Sequence, residues 1–314
     1  MEVGTNEPCH LWVTIALKAL FQTDCRDSLI FKGGTSLSKG FNIIERFSED
    51  IDLAINHSFF DIEKTSKSQR EKLRKKARAY IHDTISAQLD AHLKEMGVSG
   101  YNIENVCQVQ DKNGEWRPID SDKDPTVILL HYPSILEDTI NYIPPRVKIE
   151  ISCLSMNEPT ELRPIRSLIG ESFDSEDTDA DSSIRTVIPT RTFLEKLFLL
   201  AEEFQKEKPR SVRMSRHLYD LEKLMDTEYG KEALSNRKLY DAIVEHRKTY
   251  YALKYVNYDL HDPSTINFMI PESVIGAWKN DYADMRRFFI YGESLEFDAL
   301  MQKIRELQER VRNM

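Results

Sequence analysis

Asp50 and Asp52 alternate with Ile51 and Leu53, and shortly upstream the chain reads Lys32-Gly33-Gly34-Thr35-Ser36. On a strand, residues two apart point to the same side, so both carboxylates share one face and the apolar pair takes the other. Adjacent carboxylates repel unless a cation lies between them, and an oxygen site with one or two carboxylates suits Mg²⁺ carrying substrate phosphates. Glycines let backbone N–H groups approach a phosphate. The helix that Leu37, Phe41 and Ile44 space out would aim the positive end of its dipole at the same place. These residue types therefore suit a phosphate held beside a divalent cation, although a tight turn beside a solvated strand would use the same letters. No G-x-G-x-x-G occurs here and no G-K-[ST] follows the glycines, so the dinucleotide-fold and P-loop readings lack their residues.

Several elements must position these groups. Residues 8 to 22 predict a helix with Leu11, Ile15, Ala19 and Leu20 on one side, and Ser28 to Phe31 a short buried strand delivering the chain to Gly33. From 61 to 96 apolar residues recur every three or four positions, from Leu73 to Met96, which predicts one long helix. Strands follow at Tyr101 to Gln110, at Thr126 to His131 and at Arg146 to Cys153, with an Asn113-Gly114 turn signal after the first. In the last of these Val147, Ile149 and Ile151 alternate with Lys148, Glu150 and Ser152, so Glu150 lies on the polar face.

The chain has 314 residues, 30% of them charged and 40% hydrophobic, with a net charge of −9. That length buries a sizeable core and suits two subdomains. An acidic total means that any contact with nucleic acid needs a local basic patch. Two such stretches exist. One holds Lys64, Lys67, Arg70, Lys72, Arg74, Lys75, Lys76 and Arg78; the other holds Lys206, Lys208, Arg210, Arg213 and Arg216. Each reads equally as a solvated face or as a contact for a phosphate backbone. Cys9, Cys25, Cys107 and Cys153 form no C-x-x-C, which argues against a zinc site or disulfide framework and fits a cytoplasmic protein. The apolar stretch from Leu11 to Leu20 is interrupted by Lys18 and falls short of the roughly 20 residues a membrane span needs, so no membrane association is expected.

Residues 171 to 181 are densely acidic and read as a mobile surface loop and hinge. Pro189-Thr190 opens a helix with Thr192 three before Glu195 in capping-box order. Lys196 lies among its apolar residues and could reach a triphosphate or snorkel to solvent. Arg216 and Asp220, four apart, could pair on one helical face, with His217 in packing or solvent. Tyr250, Tyr251, Tyr255 and Tyr258 could stack on bases but more commonly serve a core. Val274 to Phe289 and Phe297 to Val311 step by three and four, the latter as a seam for another helix of this chain or a partner.

Gly-Gly before an Asp-x-Asp strand resembles the nucleotidyltransferase superfamily motif. The longer strings GGTSL (33–37) and RFSEDIDL (46–53) resemble the AbiEii-type toxin family within it. Glu195-Lys196-Leu197 and Arg216 to Asp220 resemble two further family elements. The resemblance implies an α/β (α+β) fold: a nucleotidyltransferase-like small mixed sheet over residues 1–170, an acidic linker at 171–185 and a mostly helical C-terminal domain over 186–314. It implies Mg²⁺ held by Asp50 and Asp52, with Glu150 as third carboxylate serving as ligand or general base. Gly33, Gly34, Thr35 and Ser36 would bind the outer phosphates of an NTP, with Arg46, Ser48, Lys196 and Asp220 completing the nucleotide site. The acceptor oxygen would attack the α-phosphorus and release pyrophosphate. The implied acceptor is RNA, often tRNA, and the implied setting is a bacterial toxin–antitoxin or phage-defence pair with a cognate antitoxin. Transfer to a small molecule or protein is the alternative, and a non-catalytic nucleotide-binding module is a third reading.

Overall fold

A computed structural model of the chain describes residues 7–48, 50–62, 66–111, 113–133, 144–156, 159–165 and 183–314. Lys64 and the acidic run at 171–181 lie outside the described residues. The chain forms two compact units: Met1–Gly40 with Ser48–Thr186, and Phe41–Phe47 with Val187–Met314.

The first unit is built on a seven-stranded mixed sheet. Its strands are β1 (Leu29–Lys32), β2 (Asp50–Ile55), β3 (Asn102–Asn105), β6 (Thr126–His131), β7 (Arg146–Ser152), β8 (Thr160–Pro164) and β9 (Ser183–Val187). Their spatial order is β3-β6-β7-β2-β1-β9-β8, and β4 (Gln108–Gln110) with β5 (Trp116–Pro118) makes a separate hairpin. β2 lies parallel to β7 and antiparallel to β1, so the Asp-x-Asp strand sits inside the sheet with a neighbour on either side. Its alternation acts as expected: Ile51, Leu53, Ile149, Ile151 and Phe31 enter one apolar core. That core is covered by α1 (Glu7–Leu20) and by a helical run of α3 (Lys67–Tyr80), a single π-type turn (Ile81–Ile85) and α4 (Ser86–Glu95). Leu73, Ala77, Ile81, Ile85, Leu89 and Leu93 form the run's buried stripe. A capping box between Ser66 and Gln69 starts it.

Three local expectations change. The helix after the glycines, α2 (Gly33–Lys39), stops at Gly40, so Phe41 and Ile44 lie beyond it and Phe41–Phe47 joins the second unit. The strand expected over 101–110 breaks at Val106-Cys107, because β3 pairs with β6 while Cys107 turns to accept from Ile119 N and begin the hairpin. β8 and β9 carry no strong alternation, and part of β9 falls within the stretch read as linker. β9 is a strand because β1 offers it a parallel partner at Phe31–Thr186.

The second unit is helical, with α5 (Pro189–Glu203), α6 (Arg216–Met225), α7 (Glu228–Ser235), α8 (Arg237–His246), α9 (Ile275–Phe288) and α10 (Phe297–Arg312). α5 begins with Ile188 as cap and Pro189 in the first helical position, where its missing N–H costs nothing. Thr192 is thus inside the helix rather than its cap, and Glu195 instead holds Arg191 and Arg247. The seam Phe297, Leu300, Ile304, Leu307 and Val311 is buried within this chain. On α9, Trp278, Tyr282 and Met285 are buried as expected, whereas Ile275 is 41% exposed. The tyrosines have partners within the chain, with Tyr250 stacked on His246, Arg247 over Tyr251, Lys206 over Tyr255 and Tyr258 Oη accepting from Leu253 N, while Tyr251 and Tyr255 also stay exposed to solvent.

Candidate active site

Strand register assembles the polar face of the first unit. Asp52 lies opposite Lys32 on β1 and beside Glu150 on β7, while Asp50 lies beside Lys148. Directly paired residues share a face, so Asp50, Asp52, Glu150, Lys32 and Lys148 line one side of three adjacent strands. Each is half-buried, whereas the alternating partners are fully buried. Lys148 Nζ is 3.0 Å from Glu150 Oε1, and Lys32 Nζ donates to Ser155 Oγ at 2.9 Å. Neither lysine is singled out by the sequence reading. The i, i+2 spacing of Lys148 to Glu150 was the signal for the first; register against Asp52, which only the fold supplies, reveals the second.

Gly33 brings the glycine turn against the carboxylates. Its φ is +81°, a left-handed conformation that glycine adopts without a steric penalty, and a Cβ placed on it would lie 2.0 Å from Asp52 Oδ2. The following hydroxyls are turned inward. Thr35 Oγ1 lies 2.8 Å from Ser48 Oγ and donates to the Asp50 carbonyl, which ties the helix start to the beginning of β2. Ser36 Oγ donates to Gly33 O at 2.9 Å and is fully buried. These side chains brace the turn from within, and the contribution they leave for a phosphate is their backbone N–H groups.

The donor set suits a hard divalent cation. Asp50 and Asp52 share a half-open face, and Glu150 is next to Asp52 in register. Among the described residues no group of three or more His, Cys, Asp or Glu side chains is gathered closely enough to enclose a metal, so Asp50, Asp52 and Glu150 do not form a closed three-carboxylate set. Mg²⁺ can be held by one or two carboxylates together with waters and substrate oxygens. Glu150 is at present turned to Lys148.

Within the second unit, Arg46, Lys196 and Asp220 form a buried ionic cluster. Arg46 donates through Nε and Nη2 to the two Asp220 oxygens, both at 2.7 Å, and Lys196 Nζ lies 2.7 Å from Oδ2. Asp220 is completely buried. Burial alone raises its pKa, but Arg46 and Lys196 outweigh that and hold the carboxyl well below the usual range. Burial lowers the pKa of Lys196; Asp220 opposes the shift but is shared with Arg46, so the net direction is down. His217 is buried beside them. Desolvation first, then the charges of Lys196 and Arg216, push its pKa well below the ordinary 6.5. His217 is therefore a packed neutral imidazole. The i, i+4 spacing pointed to Arg216 as the partner of Asp220; the bidentate partner in the fold is Arg46, 174 residues earlier.

An Asp-x-Asp strand flanked by a glycine-led helix start and a third carboxylate on the parallel neighbour is the arrangement of a nucleotidyltransferase. The sequence model of the nucleotidyl transferase AbiEii toxin family, type IV toxin–antitoxin system, matches residues 15–303, and the chain belongs to that family. Among solved structures, MenT4, a nucleotidyltransferase toxin from Mycobacterium tuberculosis, is similar in fold at 16% identity and a TM-score of 0.54. The match covers 98% of this chain and 83% of that one. No curated protein matches the chain. The resemblance carried by GGTSL and RFSEDIDL and the α/β expectation are borne out, and the protein is a nucleotidyltransferase. No helix among the described residues is long and apolar enough to cross a membrane.

Proposed function

We propose that this chain transfers a nucleoside monophosphate from an NTP to an RNA acceptor, with tRNA as the first candidate, as the toxin of a toxin–antitoxin pair with phage defence as its setting. The observation that carries the reading is the apposition of Gly33 and Asp52 on the sheet face shared with Asp50 and Glu150. Asp50 and Asp52 would hold Mg²⁺, which supplies charge neutralisation at the phosphates and orients them. Glu150 would act beside them as a further ligand or as the base that accepts the proton of the acceptor hydroxyl. The backbone N–H groups of Gly33 to Ser36 would face the outer phosphates, with Thr35 and Ser48 bracing the turn. Attack by the acceptor oxygen on the α-phosphorus forms the new phosphodiester, and pyrophosphate leaves.

Arg46 and Lys196 take the role of neutralising phosphate charge. The support for it lies within the second unit, where Arg46 and Lys196 both meet the carboxylate of Asp220. Asp220 positions them.

The test is incubation of the protein with each of four α-labelled NTPs and tRNA, a protein mixture or small hydroxylated acceptors, with and without Mg²⁺. Label in tRNA that disappears in Asp50→Ala and Asp52→Asn supports the reading. Label only in protein or small molecules replaces the acceptor. An NTP that binds in calorimetry without transfer to any acceptor favours a non-catalytic nucleotide-binding module.

A further inference from the structure

The two basic stretches separate in the fold. In the second, Lys206 Nζ lies 2.7 Å and Arg210 Nη2 2.8 Å from the same Glu203 oxygen, so two of its five cations are engaged by a carboxylate of this chain. In the first, Arg78 is buried and donates to Val106 O, and Arg74 faces Asp122 at 3.8 Å. Lys67, Lys72, Lys75 and Lys76 remain exposed on α3. Lys76 donates to Phe60 O, and among the described residues no carboxylate pairs with Lys67, Lys72 or Lys75.

This distribution works against the helix that carries it. Lys67 and Arg70 occupy the first turn, which holds no acidic residue, so they oppose the helix dipole. Lys72 lies three and four residues before Lys75 and Lys76, and like charges at that spacing repel. The only acid on α3 is Glu71. A solvated helix optimised for stability would interleave glutamates, and an acidic protein of net charge −9 has them in plenty. The apolar stripe of Leu73 and Ala77 is committed to the core with Ile51 and Leu53, on the face of the sheet opposite Asp50 and Asp52. The lysines thus point away from the reaction site.

We propose that the exposed face of α3, formed by Lys67, Lys72, Lys75 and Lys76, is a docking surface for the phosphate backbone of a structured RNA; the proposal rests on the RNA-acceptor reading above. The four ammonium groups spread over about 13 Å of helix axis at ~1.5 Å per residue. Lysines are compact charges that neutralise phosphates without reading bases. A membrane surface fits less well, because a helix lying in a bilayer interface needs large apolar residues beside its charges. Here Ser68 and Ala79 are the exposed neighbours. Placed behind the sheet, the surface would hold the body of an extended RNA and leave the chemistry to the other face.

The experiment compares the full chain with Lys67→Gln, Lys72→Gln and Lys75→Gln combined, and with a control of equal charge loss, Lys208→Gln, Lys238→Gln and Lys254→Gln combined. Binding of fluorescein-labelled bulk tRNA is followed by anisotropy across a salt series, with no nucleotide present. Removing one lysine–phosphate pair flattens the log–log salt slope by about 0.7 to 0.9. The α3 variant is therefore expected to fall by about two in slope and up to about a hundredfold in affinity near 0.1 M salt, while the control follows the parent. In transfer assays the α3 variant should raise KM for RNA and keep kcat. Equal slopes for both variants, or a loss of binding to anionic phosphatidylserine vesicles but not to tRNA, would overturn the proposal. Absence of transfer with the slope difference intact would instead remove the acceptor reading and leave the docking surface standing.

Discussion

Gly33 has no room for a side chain because Asp52 occupies it: a Cβ would stand 2.0 Å from the carboxylate oxygen. The glycine turn and the Asp-x-Asp strand are therefore one packed object, and a change in either is felt by the other. Gly33→Ala must both leave φ +81° and push Asp52 aside. We expect a loss of about 1 to 3 kcal/mol in urea unfolding together with weaker Mn²⁺ binding in calorimetry. Unchanged binding in a folded Gly33→Ala protein would separate the turn from the metal ligands.

Lys148 should restrain Glu150. The pair is partly exposed, so its loss should change stability by no more than about 1 kcal/mol. Removing a cation next to three carboxylates ought, however, to tighten divalent binding severalfold, since charges ~4 Å apart interact by about 1 to 4 kcal/mol near a surface. Lys148→Met is predicted to bind Mn²⁺ more tightly with a nearly unchanged midpoint of thermal unfolding.

Asp220→Asn would leave Lys196 and Arg46 buried with no carboxylate between them. Breaking a buried pair from one side costs about 3 to 5 kcal/mol, which denaturant unfolding should show. Adding Lys196→Met to Asp220→Asn should recover part of that loss, because one of the stranded charges is gone. A double variant as unstable as the single would mean that the cluster contributes by shape rather than charge.

Acid should destabilise the protein in two steps. His217, whose folded pKa lies well below 6.5, takes up a proton more readily in the unfolded chain; stability therefore falls as pH drops below about 6.5, by at most ~1.4 kcal/mol per pH unit. His82, lowered chiefly by burial, adds to the same limb. Asp220 behaves oppositely in origin: its carboxyl is depressed in the fold, so its contribution is complete above the ordinary 3.8 and disappears as pH falls through the folded value. Urea midpoints at closely spaced pH values should show both limbs, and His217→Gln should flatten the one between pH 5 and 6.5.

Much of this site was legible because it is local. Gly33, Gly34, Thr35, Ser36, Asp50 and Asp52 lie on one short piece of chain, and period-two alternation alone assigns the carboxylates to one face and Ile51 and Leu53 to the other. The helical stripe from Leu73 to Leu93 was equally plain because it buries residues at a fixed local period, and the strand at 126–131 because a short apolar run lies between Pro125 and Pro133. β8 and β9 were not, because a strand with weak alternation exists only where a neighbour offers it hydrogen bonds. Thr192 and Glu195 satisfied a capping pattern, yet Pro189 had already begun the helix and Arg247 claimed Glu195 from 52 residues away.

What the amino-acid order determined by itself is therefore the chemistry available: which side chains carry charge, which backbone positions can bend, and which residues share a strand face or helix stripe. Those follow from repeat periods of two and 3.6, which no distant contact alters. Tertiary structure alone decided pairing. Asp220 found Arg46 instead of a neighbour on its own helix, Glu203 came to hold Lys206 and Arg210 while α3 kept its lysines exposed, and Glu150 came to lie beside Asp52. Coulomb attraction and desolvation act between whatever the fold brings close, and closeness across many residues is not written in local spacing.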